Sequence, residues 1–292
     1  MKVGHIIIGA GRSGTTSLVA YLKQHSDVNF SSIKEVTYFS VDDHYRRGEE
    51  FLHSFYSTDS GCLATSDTYL LMSREAPKRI QAYNPKMKLT VILREPGDRS
   101  YSNYHFSVNQ GYIDPDVSFI QSEAKEQEML KTGDVIAQNN HGNFYGSLYH
   151  KHLAYWLQYF DRKQLFICTT KQLKEDPEGL MLAYFRFLGL SPIEPEPLEA
   201  QHAAAAVKSK RLNRFLVNRD HWLRRVVRKP LQIGFVRRAV IGSNVVDKIK
   251  AKNREELSYP PMTKEERQFC NDYFKADLAA LKQDFGIEFN GH

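Results

Sequence analysis

The chain has 292 residues, 41% of them hydrophobic and 25% charged, and a formal net charge of +6 at pH 7. These values are typical of a globular domain and exclude a disordered or low-complexity protein. The small basic surplus is compatible with an anionic partner. The three cysteines lie far apart without a C-x-x-C, so the sequence predicts neither a disulfide framework nor a zinc site.

Hydropathy and length bear on domain count and location. No apolar stretch reaches the ~18 residues that a membrane-spanning helix needs. The first apolar run begins too early to follow the charged start of a signal peptide. We therefore expect a single cytoplasmic domain over residues 1–292.

Short apolar runs alternate with helical patterns along the first 190 residues. The runs Val3–Ile8, Leu89–Leu93 and Leu165–Cys168 predict buried strands. Apolar spacing and stop signals predict helices at Thr16–His25, Arg74–Tyr83, Arg99–Gln110, Ser147–Phe160 and Gly179–Leu188, and Thr263 with Glu266 predicts a capping box for a last helix. This alternation predicts an α/β fold with a mainly parallel sheet covered by helices on both faces.

Two motifs overlap in the first turn, within IIIGAGRSGTTSL at residues 6–18. Gly9, Gly11 and Gly14 match the G-x-G-x-x-G of dinucleotide-binding turns, and an acid about 20 residues on, Glu35, is compatible with that interpretation. The same stretch also matches a phosphate-binding loop that lacks its lysine. Both motifs direct backbone N–H groups and a helix dipole at an anion. One cation and four hydroxyls favour a densely charged terminal phosphate, and these are Arg12, Ser13, Thr15, Thr16 and Ser17.

A second motif follows a predicted strand, in LTVILREPGDRSYSNYHF at residues 89–106. Arg94 stands where the strand ends, and Ser102 lies on the next helix. Ligands of open α/β sheets bind at the carboxyl ends of the strands, so Arg94 and Ser102 are candidates to hold a second phosphate. The alternative is that Arg94 pairs with Glu95 or Asp98 on the surface.

Together the two motifs resemble the sulfotransferases that use 3′-phosphoadenosine 5′-phosphosulfate (PAPS). GAGRSGTTSL is similar to their 5′-phosphosulfate loop, and LREPGDRSYSNY to their 3′-phosphate motif. Three further stretches resemble the heparan-sulfate branch: KEVTYF, NFYGSLYHKHLAYWLQYF and TKEERQFCNDYFKADLAALKQDFGIEF. The resemblance covers about residues 3–190 and 255–289.

The resemblance implies a P-loop-like α/β fold and sulfuryl transfer without a metal. PAPS would be the donor, 3′,5′-ADP the product, and the acceptor a hydroxyl, with an amine less favoured, of a carbohydrate, glycolipid or small metabolite. The implied catalytic residues are Glu35, as the base, and Arg12. The implied nucleotide-binding residues are Gly11, Arg12, Ser13, Gly14, Thr15, Thr16, Ser17, Arg94, Ser102 and Tyr149. The alternatives are a small-molecule kinase that uses Mg-ATP and a nucleotide-binding membrane adaptor without catalysis.

The sequence departs from the family at two cationic positions. The family often has lysine where Arg12 stands, and an arginine stays protonated, so its help to the leaving group would be electrostatic. The heparan-sulfate branch has a lysine in a K-[T/S]-P-x-Y segment, where this chain has TSDTYL with Thr65 at that place. His44 and His105 are rival bases, and the alternative role of Glu35 is a surface ion pair with Lys34.

Basic residues are concentrated in one segment, 208–254, which carries 15 Lys and Arg against Asp220 and Asp247. We expect a basic helical insertion or lid at about residues 200–255. Its mixture of cations with Trp and Phe is compatible with peripheral contact to the anionic inner face of a membrane, with a groove for an acidic polysaccharide, with nucleotide contacts or with a solvated cover over the core. No nucleic-acid-binding module is present in the sequence.

Overall fold

Five parallel strands form the central sheet, in the spatial order β2-β3-β1-β4-β5. The strands are β1 (His5–Gly9), β2 (Val28–Phe30), β3 (Cys62–Ser66), β4 (Lys88–Leu93) and β5 (Leu165–Thr169). The computed structural model describes residues 1–132, 135–198 and 259–289, together with the backbone of two short strands at 205–207 and 254–256. The α/β class and the parallel sheet predicted from the sequence are confirmed.

Helices connect the strands and cover the sheet. In chain order they are α1 (Thr15–Leu22), α2 (Asp42–Tyr45), α3 (Glu49–His53), α4 (Ala76–Tyr83), α5 (Pro96–Gln110), α6 (Ser122–Leu130), α7 (Val135–His141), α8 (Tyr149–Trp156), α9 (Thr170–Glu175), α10 (Pro177–Leu188) and α11 (Lys264–Phe285). Single 3₁₀ turns lie at Tyr145–Ser147 and Arg162–Gln164.

The predicted helix-start and helix-stop signals act as expected at the last two helices. The Thr263 hydroxyl accepts the Glu266 N–H, and the Glu266 carboxylate accepts the Thr263 N–H, which is the reciprocal pair of a capping box. Gly189 ends α10 with a left-handed φ of 77°, which a glycine adopts without steric cost.

Apolar residues that alternate along the strands form a core on each face of the sheet. On one face Ile6 and Ile8 pack with α4, α8 and the end of α11. On the other face Ile7 and Ile92 pack with α1 and α10. Both faces of β1 and β4 are therefore buried, which explains why these strands are continuous apolar runs in the sequence.

The basic segment predicted to be an insertion lies outside the described residues, apart from its ends. There β6 (Ala205–Val207) and β7 (Arg254–Glu256) pair as antiparallel strands, so the two ends of the segment meet. Among the residues that the structure describes, no helix is both long enough and apolar enough to cross a bilayer.

Candidate active site

The two anion-binding motifs meet because β1 and β4 are neighbours in the sheet. The strands are parallel, so both end at the same edge, where β1 runs into the glycine turn and β4 into Arg94. Ligands of open α/β sheets bind at this carboxyl edge. The topology therefore places the candidate phosphate-binding residues on one side of the molecule.

The glycine turn leaves the N-terminus of α1 open. Gly14 occupies the N-cap position with a left-handed φ of 98° and provides no side chain to cap the helix. Within the described part of the chain, the N–H groups of Thr15, Thr16 and Ser17 have no hydrogen-bond acceptor. Since the first N–H groups of a helix need a partner and carry the positive end of its dipole, this turn is suited to an anion.

Arg12 connects the first motif to the second. Its Nε donates a long hydrogen bond of 3.4 Å to the hydroxyl of Ser102, and its guanidinium lies over the ring of Phe106, 4.7 Å from the centroid. Burial lowers the pKa of Arg12; the nearby Tyr259 opposes this effect, and Arg99 and Arg94 add to it. Arg12 therefore lies within electrostatic range of two other guanidinium groups.

Arg94 does not pair with the acidic residues that follow it in sequence. The carboxylates of Glu95 and Asp98 pair with Arg267 of α11, at 2.9 Å and 2.6 Å, and not with Arg94. Glu95 also caps α5 by accepting the N–H groups of Gly97 and Asp98. Within the described residues the Arg94 guanidinium has neither an ion pair nor a hydrogen bond, which is the state expected of a ligand-binding cation.

Arg99, which the sequence analysis did not assign to the site, holds the glycine turn from behind. It is 3% exposed, its Nε donates to the Gly11 carbonyl at 3.0 Å, and one terminal nitrogen donates to the carbonyls of Gly142 and Asn143 at 2.7 Å and 3.0 Å. This cation therefore fixes the turn to the loop that precedes α8. Its position within LREPGDRSYSNY, five residues after Arg94, was the available signal.

A buried carboxyl supports the same loop. Glu126 of α6 is fully buried and accepts the N–H groups of Phe144 and Tyr145, at 2.9 Å and 2.5 Å. Burial raises the pKa of Glu126 to about 8, although the two N–H donors and Arg99 oppose that rise. Neither the sequence position of Glu126 nor its helix indicated this role.

Tyr149 braces the second motif without reaching the surface. The side chain is fully buried, and its hydroxyl donates to the Arg94 carbonyl at 2.9 Å. Burial raises the pKa of Tyr149 to about 12, with Arg99, Ser13 and the Arg94 carbonyl opposing. Any contribution of Tyr149 to nucleotide binding thus acts through the backbone of Arg94.

Glu35 lies beside the glycine turn, at the end of an interaction chain through Thr68. One carboxylate oxygen, Oε2, accepts the Thr68 N–H at 2.5 Å and the Thr68 hydroxyl at 3.1 Å, and Thr68 packs against Gly11. The other oxygen, Oε1, contacts the Lys34 ammonium at 2.5 Å. The ion pair with Lys34 that was the alternative role of Glu35 therefore exists, but the carboxylate is also fixed next to the turn.

A second carboxyl group, Asp67, stands where the family pattern has its proline. It is buried and accepts the Ser40 hydroxyl at 2.6 Å and the Tyr69 N–H at 3.0 Å. Burial, followed by the charge of Glu35, raises the pKa of Asp67 well above its ordinary value. The site thus contains two neighbouring carboxyl groups in different environments.

His5, His44 and His105 each contact neighbouring side chains. His5 is fully buried, bonded to the Lys88 carbonyl and the Tyr184 hydroxyl, and burial lowers its pKa to about 4. His44 is bonded to the Thr37 hydroxyl at 2.7 Å, and His105 is stacked on Tyr259 with ring centroids 4.5 Å apart.

Comparison with known proteins identifies the same domain over most of the chain. A family model described as "Sulfotransferase domain" matches residues 4–280. The chain is 27% identical over 283 residues to the bifunctional heparan sulfate N-deacetylase/N-sulfotransferase 4 of Mus musculus, covering 92% of this chain and 28% of that protein. It is 28% identical over 203 residues to heparan sulfate glucosamine 3-O-sulfotransferase 5 of Mus musculus, covering 64% of this chain and 53% of the relative.

These curated relatives are longer proteins, and the chain spans about a quarter to a half of their length. Among solved structures, a sulfotransferase from Alicyclobacillus acidocaldarius is similar over 99% of this chain and 98% of its own, with a TM-score of 0.69 and 19% sequence identity. This similarity confirms the P-loop-like fold that the motifs imply.

Proposed function

Because this chain belongs to the sulfotransferase domain family, we propose that PAPS is its sulfate donor and that the residues at the carboxyl edge of β1 and β4 bind it. Membership makes the protein a transferase that moves a sulfuryl group. It also sets aside the kinase and the non-catalytic adaptor that the glycine turn alone left open.

The observation that carries the donor assignment is that Arg12 and Arg94, whose acidic neighbours pair with Arg267, lie at the same sheet edge as an uncapped helix N-terminus. A nucleotide with phosphate groups on both its 3′ and 5′ sides offers two anions to such a site. The open N–H groups and hydroxyls of Thr15, Thr16 and Ser17 would hold the 5′-phosphosulfate. Arg94 and Ser102 would hold the 3′-phosphate, since a guanidinium binds phosphate in a bidentate manner.

Glu35 and Arg12 are the residues proposed to act in the chemical step. Glu35 Oε1 would accept the proton of the acceptor as its oxygen attacks sulfur from the side opposite the leaving 5′-phosphate. Arg12 would stabilise the charge that develops on that phosphate, and it does so as a permanent cation and not by proton donation. Arg99 and Thr68 would keep the turn and the base in place.

A saccharide is the acceptor class that the surroundings of Glu35 favour. Burial raises the pKa of Tyr69 to about 12, and the nearby Glu35 and Tyr112 add to this rise. Tyr69 therefore lies near both groups. Phe106 lies beside Arg12, and all three aromatic rings are partly exposed. Aromatic faces next to polar groups suit a sugar ring, and the relatives named above are glycan sulfotransferases.

Nucleotide selectivity tests the donor assignment. Calorimetry should show 3′,5′-ADP binding ~10²-fold or more tightly than 5′-ADP, because the second lacks the phosphate that Arg94 and Ser102 are proposed to bind. Arg94→Ala should remove most of this preference, whereas Arg46→Ala, at an exposed arginine paired with Asp43, should not.

Transfer of radioactive sulfate from PAPS to unsulfated glucosamine-containing oligosaccharides, or to a glycolipid extract, tests the reaction. Equal binding of 3′,5′-ADP and 5′-ADP by the wild type would contradict the donor assignment. Group transfer that occurs from Mg-ATP and not from PAPS would contradict the proposed function.

A further inference from the structure

The cation that the heparan-sulfate branch has at the position of Thr65 is missing from this site. Thr65 is 1% exposed, and its hydroxyl is bonded to that of the buried Ser31 at 3.0 Å. Position 65 therefore faces the protein interior, where a lysine would have no anion to meet. Any second cation near the acceptor would come from another part of the chain.

Lys34 is in position to supply it. Its ammonium lies 2.5 Å from Oε1 of Glu35, and the side chains of Lys34 and Glu35 are 29% and 27% exposed, so a ligand can reach both. Lys34 also opposes the rise in the pKa of Asp67, which shows that it lies near both carboxyl groups. The backbone of Glu35 has a positive φ of 62°, an uncommon conformation that holds this pair at the edge of the turn.

The two oxygens of Glu35 are not equivalent. Oε2 accepts two hydrogen bonds from Thr68, whereas Oε1 contacts the Lys34 ammonium, in a side chain that is 27% exposed. The acceptor proton is therefore received at Oε1, the atom that Lys34 contacts. Once Oε1 carries a proton, the carboxyl is neutral and its attraction for the ammonium is lost.

We propose that Lys34 is a catalytic residue of the sulfuryl transfer. As the Glu35 carboxylate takes up the proton, the Lys34 ammonium leaves it and binds the oxygens of the group in transfer. The inference rests on the proposed function. In the step, the acceptor oxygen forms a bond to sulfur, the bond from sulfur to the 5′-phosphate oxygen breaks, and that phosphate leaves with the electron pair. The acceptor proton goes to Glu35 Oε1, so charge moves from the base to the sulfuryl and phosphate oxygens while the Lys34 ammonium moves in the same direction.

Turnover of Lys34→Met, which keeps the length of the side chain without its charge, gives the first test. We expect turnover ~10²-fold below the wild type, the cost of losing one group that stabilises developing charge. Binding of 3′,5′-ADP should stay within about twofold, because the ground-state nucleotide contacts are made by other residues. Lys34→Arg should recover part of the loss, and Lys163→Met, at an exposed lysine paired with Asp161, should have no effect.

A double-mutant cycle separates a direct role from one that acts through Glu35. If Lys34 contacts the sulfuryl oxygens, Lys34→Met should lower turnover by a further ~10-fold in a Glu35→Gln background. If it only orients the base, Glu35→Gln removes its whole contribution, and an unchanged rate in the double variant overturns the proposal.

Binding of orthovanadate together with 3′,5′-ADP provides a readout without turnover, since five-coordinate vanadate imitates a sulfuryl group in transfer. Lys34→Met should weaken vanadate binding ~10-fold or more while 3′,5′-ADP binding alone persists. An active wild type with an equally active Lys34→Met variant contradicts this inference alone. A wild type that neither transfers labelled sulfate nor binds 3′,5′-ADP contradicts the proposed function, and with it the inference.

Discussion

Arg12 and Glu35 are the two residues other than glycine with positive φ in the described part of the chain, at 70° and 62°. Such conformations cost of order 1–3 kcal/mol and persist where the surrounding structure fixes them. Both residues lie at the candidate site, one in the anion-binding turn and the other at the proposed base. The concentration of strain at these positions agrees with the roles that the family resemblance implies.

Replacement of Glu35 by glutamine tests the base. Glutamine keeps the shape of the side chain but takes up no proton, so turnover should fall ~10²–10⁴-fold. Binding of 3′,5′-ADP should be nearly unchanged, because Thr68 can still donate to the amide oxygen. The measurement is the rate of sulfate transfer at saturating PAPS.

The matched control is Glu175→Gln, at an exposed glutamate that also pairs with a lysine, Lys171 at 3.9 Å. This variant should retain wild-type turnover. Turnover of Glu35→Gln within a fewfold of the wild type would remove Glu35 from the mechanism and favour His44 or His105 as the base.

Site residues that directly follow a strand could be assigned from the sequence. Site residues that are distant from those strands in sequence could not. The glycine turn and Arg94 come directly after β1 and β4, so their place at the carboxyl edge follows from the order of elements. Thr68, Glu126 and Arg267 are brought there by tertiary packing, with no local pattern to mark them. Arg267 in particular pairs with Glu95, from which it is 172 residues distant in sequence, so that this carboxylate does not pair with Arg94.

At the scale of elements, the three apolar strands were predictable from the sequence and the other two were not. Strands β1, β4 and β5 are continuous apolar runs because helices cover both faces of the sheet. Strand β2 has three half-buried residues at the sheet edge, and β3, with the sequence CLATS, buries hydroxyl groups. The hydroxyl of Thr65 is satisfied by Ser31 and not by solvent. These polar residues interrupt the apolar pattern, so no apolar run marks β3 in the sequence.

Helix α6 links the stability of the protein to pH through Glu126. The folded protein holds the Glu126 proton up to about pH 8, whereas the unfolded chain releases it near the ordinary value of 4.5. Raising the pH between these values therefore favours unfolding. Burial lowers the pKa of His5 to about 4 and that of His152 to about 3, so these two groups make the folded state more stable as the pH rises. Their contribution stops changing above about pH 6.5, where the histidines of the unfolded chain are also neutral.

We therefore expect the free energy of unfolding to fall between pH 6.5 and pH 8 by about 2 kcal/mol, from a difference of about 1.5 pH units at 1.36 kcal/mol each. This corresponds to a decrease of about 5 °C in Tm. Differential scanning fluorimetry across this range measures it. In Glu126→Gln the decrease should disappear, although the variant starts from a lower Tm because it loses one acceptor for the loop N–H groups.

Glu128→Gln is the control on the same helix, since Glu128 is exposed. This variant should retain the full decrease in Tm. A Glu126→Gln protein whose Tm falls with pH as steeply as that of the wild type would show that another group is responsible, and Asp67, whose pKa burial also raises, would be the next candidate.

At the scale of the whole molecule, charge is divided between two parts of the chain. Residues 208–254 carry a net charge of +13, and the remainder carries −7. The single domain with a basic insertion remains a prediction, because the segment lies outside the described residues. What the structure adds is that the strands at its two ends pair with each other, so the segment leaves and re-enters the domain at one place.

This arrangement predicts that the segment can be removed without loss of the fold. Replacing residues 208–253 by Asn-Gly, which favours a tight turn between antiparallel strands, should leave the Tm of the central domain within a few degrees of the wild type. The members of the two core clusters that the structure describes lie before and after the segment, from Val3 to Leu198 and from Leu278 to Phe289. A protein that no longer folds would show that the segment belongs to the core.

We expect the intact segment to bring the protein to an anionic surface, namely a membrane that carries a glycolipid acceptor. Each Lys or Arg near such a surface adds about 1 kcal/mol, screened by salt, so binding to anionic vesicles should weaken steeply as salt rises. Neutralising Arg224, Arg225, Arg228 and Lys229 together should reduce vesicle binding while the Tm and the affinity for 3′,5′-ADP are preserved.

The control removes the same number of charges from exposed lysines outside the segment: Lys86, Lys163, Lys171 and Lys174. This variant should have a smaller effect, because these cations are dispersed over a part of the chain that is net negative. A wild type that ignores anionic vesicles at low salt contradicts the membrane role. If the fourfold variant instead loses 3′,5′-ADP, the cations belong to the nucleotide site, and the segment is a catalytic lid.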